Sequence, residues 1–73
     1  MKISEVTIQN VKEYAHIYHD EDDFLLETII SASKSYIKNY TGLSDEALDE
    51  KEDLSIALLV LCNEMYDKRS YTS

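Results

Sequence analysis

The central stretch of the chain, residues 20 to 42, places its hydrophobic residues at steps of three and four. Such spacing gathers side chains on one face of an amphipathic helix. Asp20 is predicted to cap this helix, and Asp23 to complete a weak capping box. Gly42, the only glycine, is predicted to end the helix in the left-handed conformation. The predicted buried face consists of Leu26, Ile29, Ile30, Ser33, Tyr36, Ile37 and Tyr40.

Further helices are predicted on both sides of this stretch. Thr7 is a suitable N-cap for a short helix whose buried face would hold Val11, Tyr14 and Ala15. Ser44 is placed to cap a short helical turn, and an apolar helix follows it. The pattern therefore predicts one all-α domain over residues 1–73. It would be a small bundle with one short and two long helices, at about 7–15, 20–41 and 50–68, and a short turn at 45–48.

The last helix is apolar around most of its circumference. We predict that Ile56, Leu59 and Val60 extend the apolar surface beyond its main stripe. A helix of this kind is enclosed on several sides, so the surplus surface indicates a subunit interface. The predicted main stripe is Leu54, Ala57, Leu58, Leu61, Cys62, Met65 and Tyr66.

Tyrosine is numerous for a chain of this length, and two interpretations stay open for it. The tyrosines that lie on predicted buried faces favour packing in the core. Tyrosine is also enriched at protein interfaces, which favours a role in contacts with a partner. The six tyrosines are Tyr14, Tyr18, Tyr36, Tyr40, Tyr66 and Tyr71. The candidate oligomer or partner interface is Tyr36, Tyr40, Ile56, Leu59, Val60 and Tyr66.

Composition narrows the classes of function. Fifteen acidic against seven basic residues give a net charge of -8, which disfavours binding to a phosphate backbone. The single cysteine, Cys62, excludes an internal disulfide and fits a reducing compartment. No apolar run approaches the roughly 18 residues of a membrane span, and no signal peptide is expected.

Candidate chemistry is sparse. His16 and His19, followed by four acids, have the spacing of a metal site, but helix capping explains the acids equally well. Cys62 lies on an apolar face and is interpreted as a core residue. One glycine cannot build a phosphate-binding loop. We therefore predict no catalytic residue, no metal, no cofactor and no enzymatic activity.

The order of elements and motifs resembles the head–tail connector family of tailed phages and prophages, often labelled DNA-packaging proteins. The resemblance covers nearly the whole chain and is carried by a patterned helical signature. Its motifs are Y-x-x-I-x-H-D-E-D-D before the long helix, Y-I-x-N-Y-T-G at its end, and Y-D-K-R near the C-terminus. The matching residues are Tyr14, Ile17, His19 to Asp23, Leu25, Leu26, Ile29, Ala32, Tyr36, Ile37, Tyr40, Thr41, Gly42, Leu54, Ala57, Leu58, Leu61, Tyr66 and Arg69.

This resemblance implies a structural subunit of a ring of about twelve copies. The ring would dock below the portal protein, hold a neck or tail protein, and let DNA pass without specific binding. It would lie in the virion neck after synthesis in the bacterial cytoplasm, with no membrane partner. Family members usually continue past the third long helix, so a C-terminally truncated form and a naturally short protein are both expectations. The charge keeps one alternative open: a small acidic regulatory module, antitoxin-like or a DNA mimic.

Overall fold

The computed structural model describes residues 1–68, and every regular element in that range is helical. A 3-10 turn at Ile3–Glu5 precedes α1 (Ile8–Ala15), α2 (Asp23–Thr41), α3 (Asp45–Asp49) and α4 (Asp53–Lys68). The predicted all-α bundle is confirmed. Arg69, a matching residue of the family resemblance, and Tyr71, one of the six tyrosines, lie outside the described residues.

Three predicted helix caps are confirmed, and each satisfies backbone groups that a helix end leaves unpaired. The Asn10 amide donates to the Thr7 hydroxyl at 3.4 Å, and the Thr7 amide donates back to Asn10 Oδ1 at 2.9 Å. The Ala47 amide donates to the Ser44 hydroxyl at 3.3 Å. Gly42 has φ +70°, and its amide donates to the Lys38 carbonyl at 2.9 Å.

The end of α1 turns the chain back into the core through a left-handed residue. His16 has φ 59° and ψ 44°, and its amide donates to the Glu13 carbonyl. The Ile17 amide donates to the Lys12 carbonyl at 2.9 Å, which completes a Schellman motif. Ile17 is buried in the same hydrophobic cluster as Val11 of α1. The connection from α1 to α2 is thus anchored to the core at Ile17, just after α1 ends.

The predicted start of α2 is wrong by three residues. The helix begins at Asp23, and its N-cap is Asp22, whose side chain makes no capping hydrogen bond. Asp20 lies outside the helix, and its carboxylate contacts the ammonium of Lys12 at 2.6 Å. The carboxylate of Asp23, the first residue of α2, contacts the same ammonium at 2.8 Å. A charge-assisted hydrogen bond to a lysine replaces the expected backbone cap.

The hydrophobic core lies where α4 packs against α2 and, less extensively, against α1. Leu26, Leu58, Val11 and Cys62 are fully enclosed there. The other buried apolar residues come from the 3-10 turn, the connections, the inner face of α2, and α3. They are Ile3, Val6, Ile17, Ile29, Ile30, Ile37 and Leu48.

The buried face of α4 includes most of the predicted stripe but departs from it at Ser55 and Ala57. Ser55 is buried, whereas Ala57 is exposed. Burial of Ser55 leaves no unpaired group because its hydroxyl donates to the Glu52 carbonyl at 2.8 Å. A small, internally satisfied polar residue can therefore face the core.

Three tyrosines predicted to face the core are exposed. Tyr14 of α1 and Tyr36 and Tyr40 of α2 all lie at the surface, so the core interpretation of these residues is wrong. Their helices pack through narrower faces than the hydrophobic spacing suggested. Among the helices of residues 1–68, none has both the length and the hydropathy to cross a membrane.

Candidate functional site

The outer side of α2 presents large aromatic side chains to solvent. Phe24 is 86% exposed, Tyr40 81% and Tyr36 55%. The rings of Tyr36 and Tyr40, one helical turn apart, stack with centroids 6.1 Å apart and planes 13° apart. Aromatic residues that are exposed in an isolated chain and held in one arrangement are typical of interaction surfaces.

The outer side of α4 is a second exposed apolar surface. Ile56 is 62% exposed and Val60 39%, and they lie one helical turn apart. Exposed carboxylates bracket this pair, with Asp53 one turn before it and Glu64 one turn after it. Leu59, the third predicted member, is half-buried against the core.

Tyr66, also predicted for the interface, joins α4 to the start of α2 within the chain. Its ring is half-buried against the core, and its hydroxyl donates a hydrogen bond to the Asp22 carboxylate. Sequence reasoning had no means of finding this pair, since 44 residues separate its members. The contact fixes the C-terminal half of α4 relative to the first turn of α2.

Lys12 connects α1 to the start of α2, and its role was not predicted from the sequence. Its side chain is only 8% exposed, and its ammonium donates to both Asp20 and Asp23. Donation to Asp20 and, second, to Asp23 raises the pKa of Lys12, and the hydrogen bond that Asp20 accepts lowers the pKa of Asp20. The sequence feature that indicates this contact is a lysine beside Val11 on the inner side of α1, followed by a run of acids.

His16 and His19 lie just before the start of α2 but are not grouped with the neighbouring acids as metal ligands would be. His16 Nδ1 lies 3.0 Å from the Tyr18 hydroxyl on the exposed side of the connection. Over residues 1–68, no three histidine, cysteine or acidic side chains are grouped so that they could hold a metal ion. Three of the acids that sequence spacing suggested as ligands, Asp20, Asp22 and Asp23, bind Lys12 or Tyr66.

Cys62 is enclosed by the core, as predicted. Burial raises the pKa of its thiol, which keeps it in the unreactive protonated form. The nearby Ser33 hydroxyl, also fully buried, donates to the sulfur of Met65 at 3.4 Å. The thiol is therefore a packing group between α2 and α4.

An open cleft of about 310 Å³ lies between the 3-10 turn, α2 and α3. Its walls carry Lys34 and Lys38 on one side and Asp45 and Asp49 on the other. Lys38 pairs with Asp45 at 3.2 Å, and Asp49 accepts hydrogen bonds from the amide and hydroxyl of Ser4. These contacts hold α3 in place, so the cleft is stabilised by its own opposite charges.

The structure thus defines a small all-helical protein whose notable surfaces are apolar helix faces suited to protein contacts. Residues 5–73 match the family model described as "Phage gp6-like head-tail connector protein". The chain belongs to this family of phage head–tail connector proteins, as its resemblance predicted. The family is structural rather than enzymatic, and it implies a place in the virion neck in contact with other virion components.

Searches of curated proteins and of solved structures found no match to this chain.

Proposed function

We propose that this protein is the subunit of a connector ring that joins the capsid to the tail. About twelve copies would close the ring, with residues 1–73 acting as one connector domain. The ring docks below the portal protein and receives a neck or tail protein on its other side. Membership of the connector family supports the site of action, and the copy number follows the family resemblance.

The observation that carries this proposal is the pair of exposed apolar surfaces on two different helices. A closed ring needs two unlike surfaces on each subunit, because each copy contacts its two neighbours through different sides. Ile56 and Val60 on α4 and the stacked Tyr36 and Tyr40 on α2 supply such a pair. A protein that acted alone would gain nothing from leaving both surfaces open to water.

The charge of the chain suits a channel for DNA. Net charge is -8, and five of the six acids between residues 45 and 53 are exposed. Carboxylates repel phosphate groups, so DNA moves past such a surface without being held. The same charge first left an acidic regulatory module open, but membership of the connector family favours the structural role.

Binding to the portal protein of the same phage tests the proposal. The purified chain, mixed with portal rings, should sediment with them and add a ring of density beneath them in electron micrographs. The portal of an unrelated phage serves as the control. Failure to bind its own portal, together with salt-sensitive binding to a basic DNA-processing protein, would support the regulatory alternative instead.

A further inference from the structure

One broad side of α2 is exposed and carries no charge. Because successive residues turn by about 100°, these positions cover roughly half of the helix circumference. Charged residues make up 30% of the chain, so about two would be expected among eight exposed positions. The uncharged face consists of Phe24, Thr28, Ser31, Ala32, Ser35, Tyr36, Asn39 and Tyr40.

The composition of this uncharged face is that of a protein interface. Charge is depleted and tyrosine enriched at the centre of such interfaces. The short side chains of Ser31, Ala32 and Ser35 leave room for another helix to approach closely. Around them, Tyr36 and Asn39 supply hydroxyl and amide groups that donate hydrogen bonds. The charged residues of α2 lie on its other sides.

The outer face of α4, formed by Asp53, Ile56, Ala57, Val60 and Glu64, has complementary chemistry. Its centre is apolar, and its two ends are carboxylates that only accept hydrogen bonds. We propose that the uncharged face of α2 in one copy packs against this outer face of α4 in the next copy. This inference rests on the proposed ring, and it specifies the contact by which the ring closes.

Two such faces allow three pairings, α4 on α4, α2 on α2 and α2 on α4, and charge together with apolar burial favours the last. Two α4 faces brought together would oppose Asp53 and Glu64 of both copies, which like charges disfavour. Two α2 faces brought together would leave Ile56 and Val60 in water. Packing α2 on α4 covers both faces and gives the carboxylates hydroxyl and amide donors. In a chain of net charge -8, this pairing also places no acid against another acid across the contact.

Cysteine crosslinking tests the pairing directly. Ser35→Cys places a thiol on the uncharged face of α2, and Ala57→Cys places one on the outer face of α4. Both replace small exposed residues, so the fold is expected to persist. The wild-type chain is the matched control, because its Cys62 is fully enclosed.

With a short thiol-specific crosslinker, the double variant should give a ladder of dimers, trimers and larger species. Each single variant should stay uncrosslinked, because α2 never meets α2 and α4 never meets α4. Dimers from Ser35→Cys alone would overturn the inference by showing α2-on-α2 packing. An assembling wild-type protein whose double variant gives no ladder would overturn it and leave the ring intact.

A charge pair of variants supplies a second test by native mass. Tyr36→Glu should weaken self-association at least about tenfold, because it brings a carboxylate into a contact whose α4 side carries Asp53 and Glu64. Tyr36→Lys removes the same ring but adds the opposite charge, so it should assemble better than Tyr36→Glu. Gln9→Glu adds an equal charge at an exposed position of α1 and should leave assembly unchanged.

Equal assembly by the Glu and Lys variants would overturn the inference, because position 36 would then not face acids. A loss with Gln9→Glu as large as that with Tyr36→Glu would also overturn it. Wild-type protein that stays monomeric at every concentration and beside its portal would overturn the proposed ring and this contact together.

Discussion

Replacement of Leu58 by alanine tests the position of the core most sharply. Leu58 lies at the middle of α4, is fully buried, and belongs to the cluster that contains Leu26 and Cys62. Truncation removes its apolar contacts and leaves a cavity, which together cost about 2–5 kcal/mol. A domain of 73 residues has a total stability of only about 4–11 kcal/mol. One truncation should therefore remove a large part of the free energy of unfolding.

The measurement is urea denaturation followed by far-ultraviolet circular dichroism, at a concentration where the chain is monomeric. The urea concentration at the unfolding midpoint should fall, while the dependence of the unfolding free energy on urea concentration stays constant. The melting temperature should drop by at least about 8 °C. The matched control is Ile56→Ala, two residues earlier on the same helix but 62% exposed. This exposed substitution should change stability by no more than about 0.5 kcal/mol.

Two results would refute this reasoning. A loss below about 0.5 kcal/mol for Leu58→Ala would show that this face of α4 is open in solution. Equal losses for the two variants in the monomer would show that the buried and exposed sides of α4 are assigned wrongly. In an assembled sample Ile56→Ala should lose more than it does in the monomer, because the inferred contact buries Ile56.

Three further predictions concern the ends and corner of the helices. A Cβ at Gly42 would meet no atom within 4 Å, so Gly42→Ala should destabilise the protein only through its φ of +70°, by about 1–2 kcal/mol. The β-branched Gly42→Val should destabilise it by more. Unchanged melting temperatures would contradict the strained cap. Conversely, His16→Gly should raise stability by about 0.5–1 kcal/mol, since glycine accepts φ 59° without strain, and a lower melting temperature would show that the contact with Tyr18 matters more. The hydrogen bond from Lys12 lowers the pKa of Asp20, so the Lys12–Asp20 ion pair stabilises the fold fully at pH values above the ordinary pKa of 3.8. This stabilisation disappears as the pH falls through the lowered pKa of Asp20. Stabilities of wild type and Asp20→Asn, compared by urea denaturation from about pH 6 to about pH 2, should therefore converge at the acid end, and a constant difference would refute the ion pair.

Much of the fold could be predicted because local chemistry specifies the helix ends. Thr7, Ser44 and Gly42 act through hydrogen bonds or dihedral angles set within a few residues, which a single sequence displays. The start of α2 could not be predicted in this way. Asp20 has the chemistry of a cap, but Lys12, on another helix, competes for its carboxylate.

The candidate surfaces were only partly visible in the sequence for a related reason. Hydrophobic spacing shows which side of a helix is apolar but not how much of that side its neighbours cover. Tyr36 and Tyr40 therefore looked like core residues, and Phe24 was overlooked although it is the most exposed large apolar residue of α2. The missed signal was the lack of charge on the outer side of α2, which a helical projection of the sequence displays.

Closure of this chain into a connector ring can be tested by measuring its native mass. Mass spectrometry under native conditions should be run across a range of concentrations, alone and with the portal protein. With a chain mass of 8.5 kDa, a closed ring should give one discrete species of roughly 100 kDa, about twelve copies. A monomer or dimer under all of these conditions, with the portal unoccupied, would contradict it.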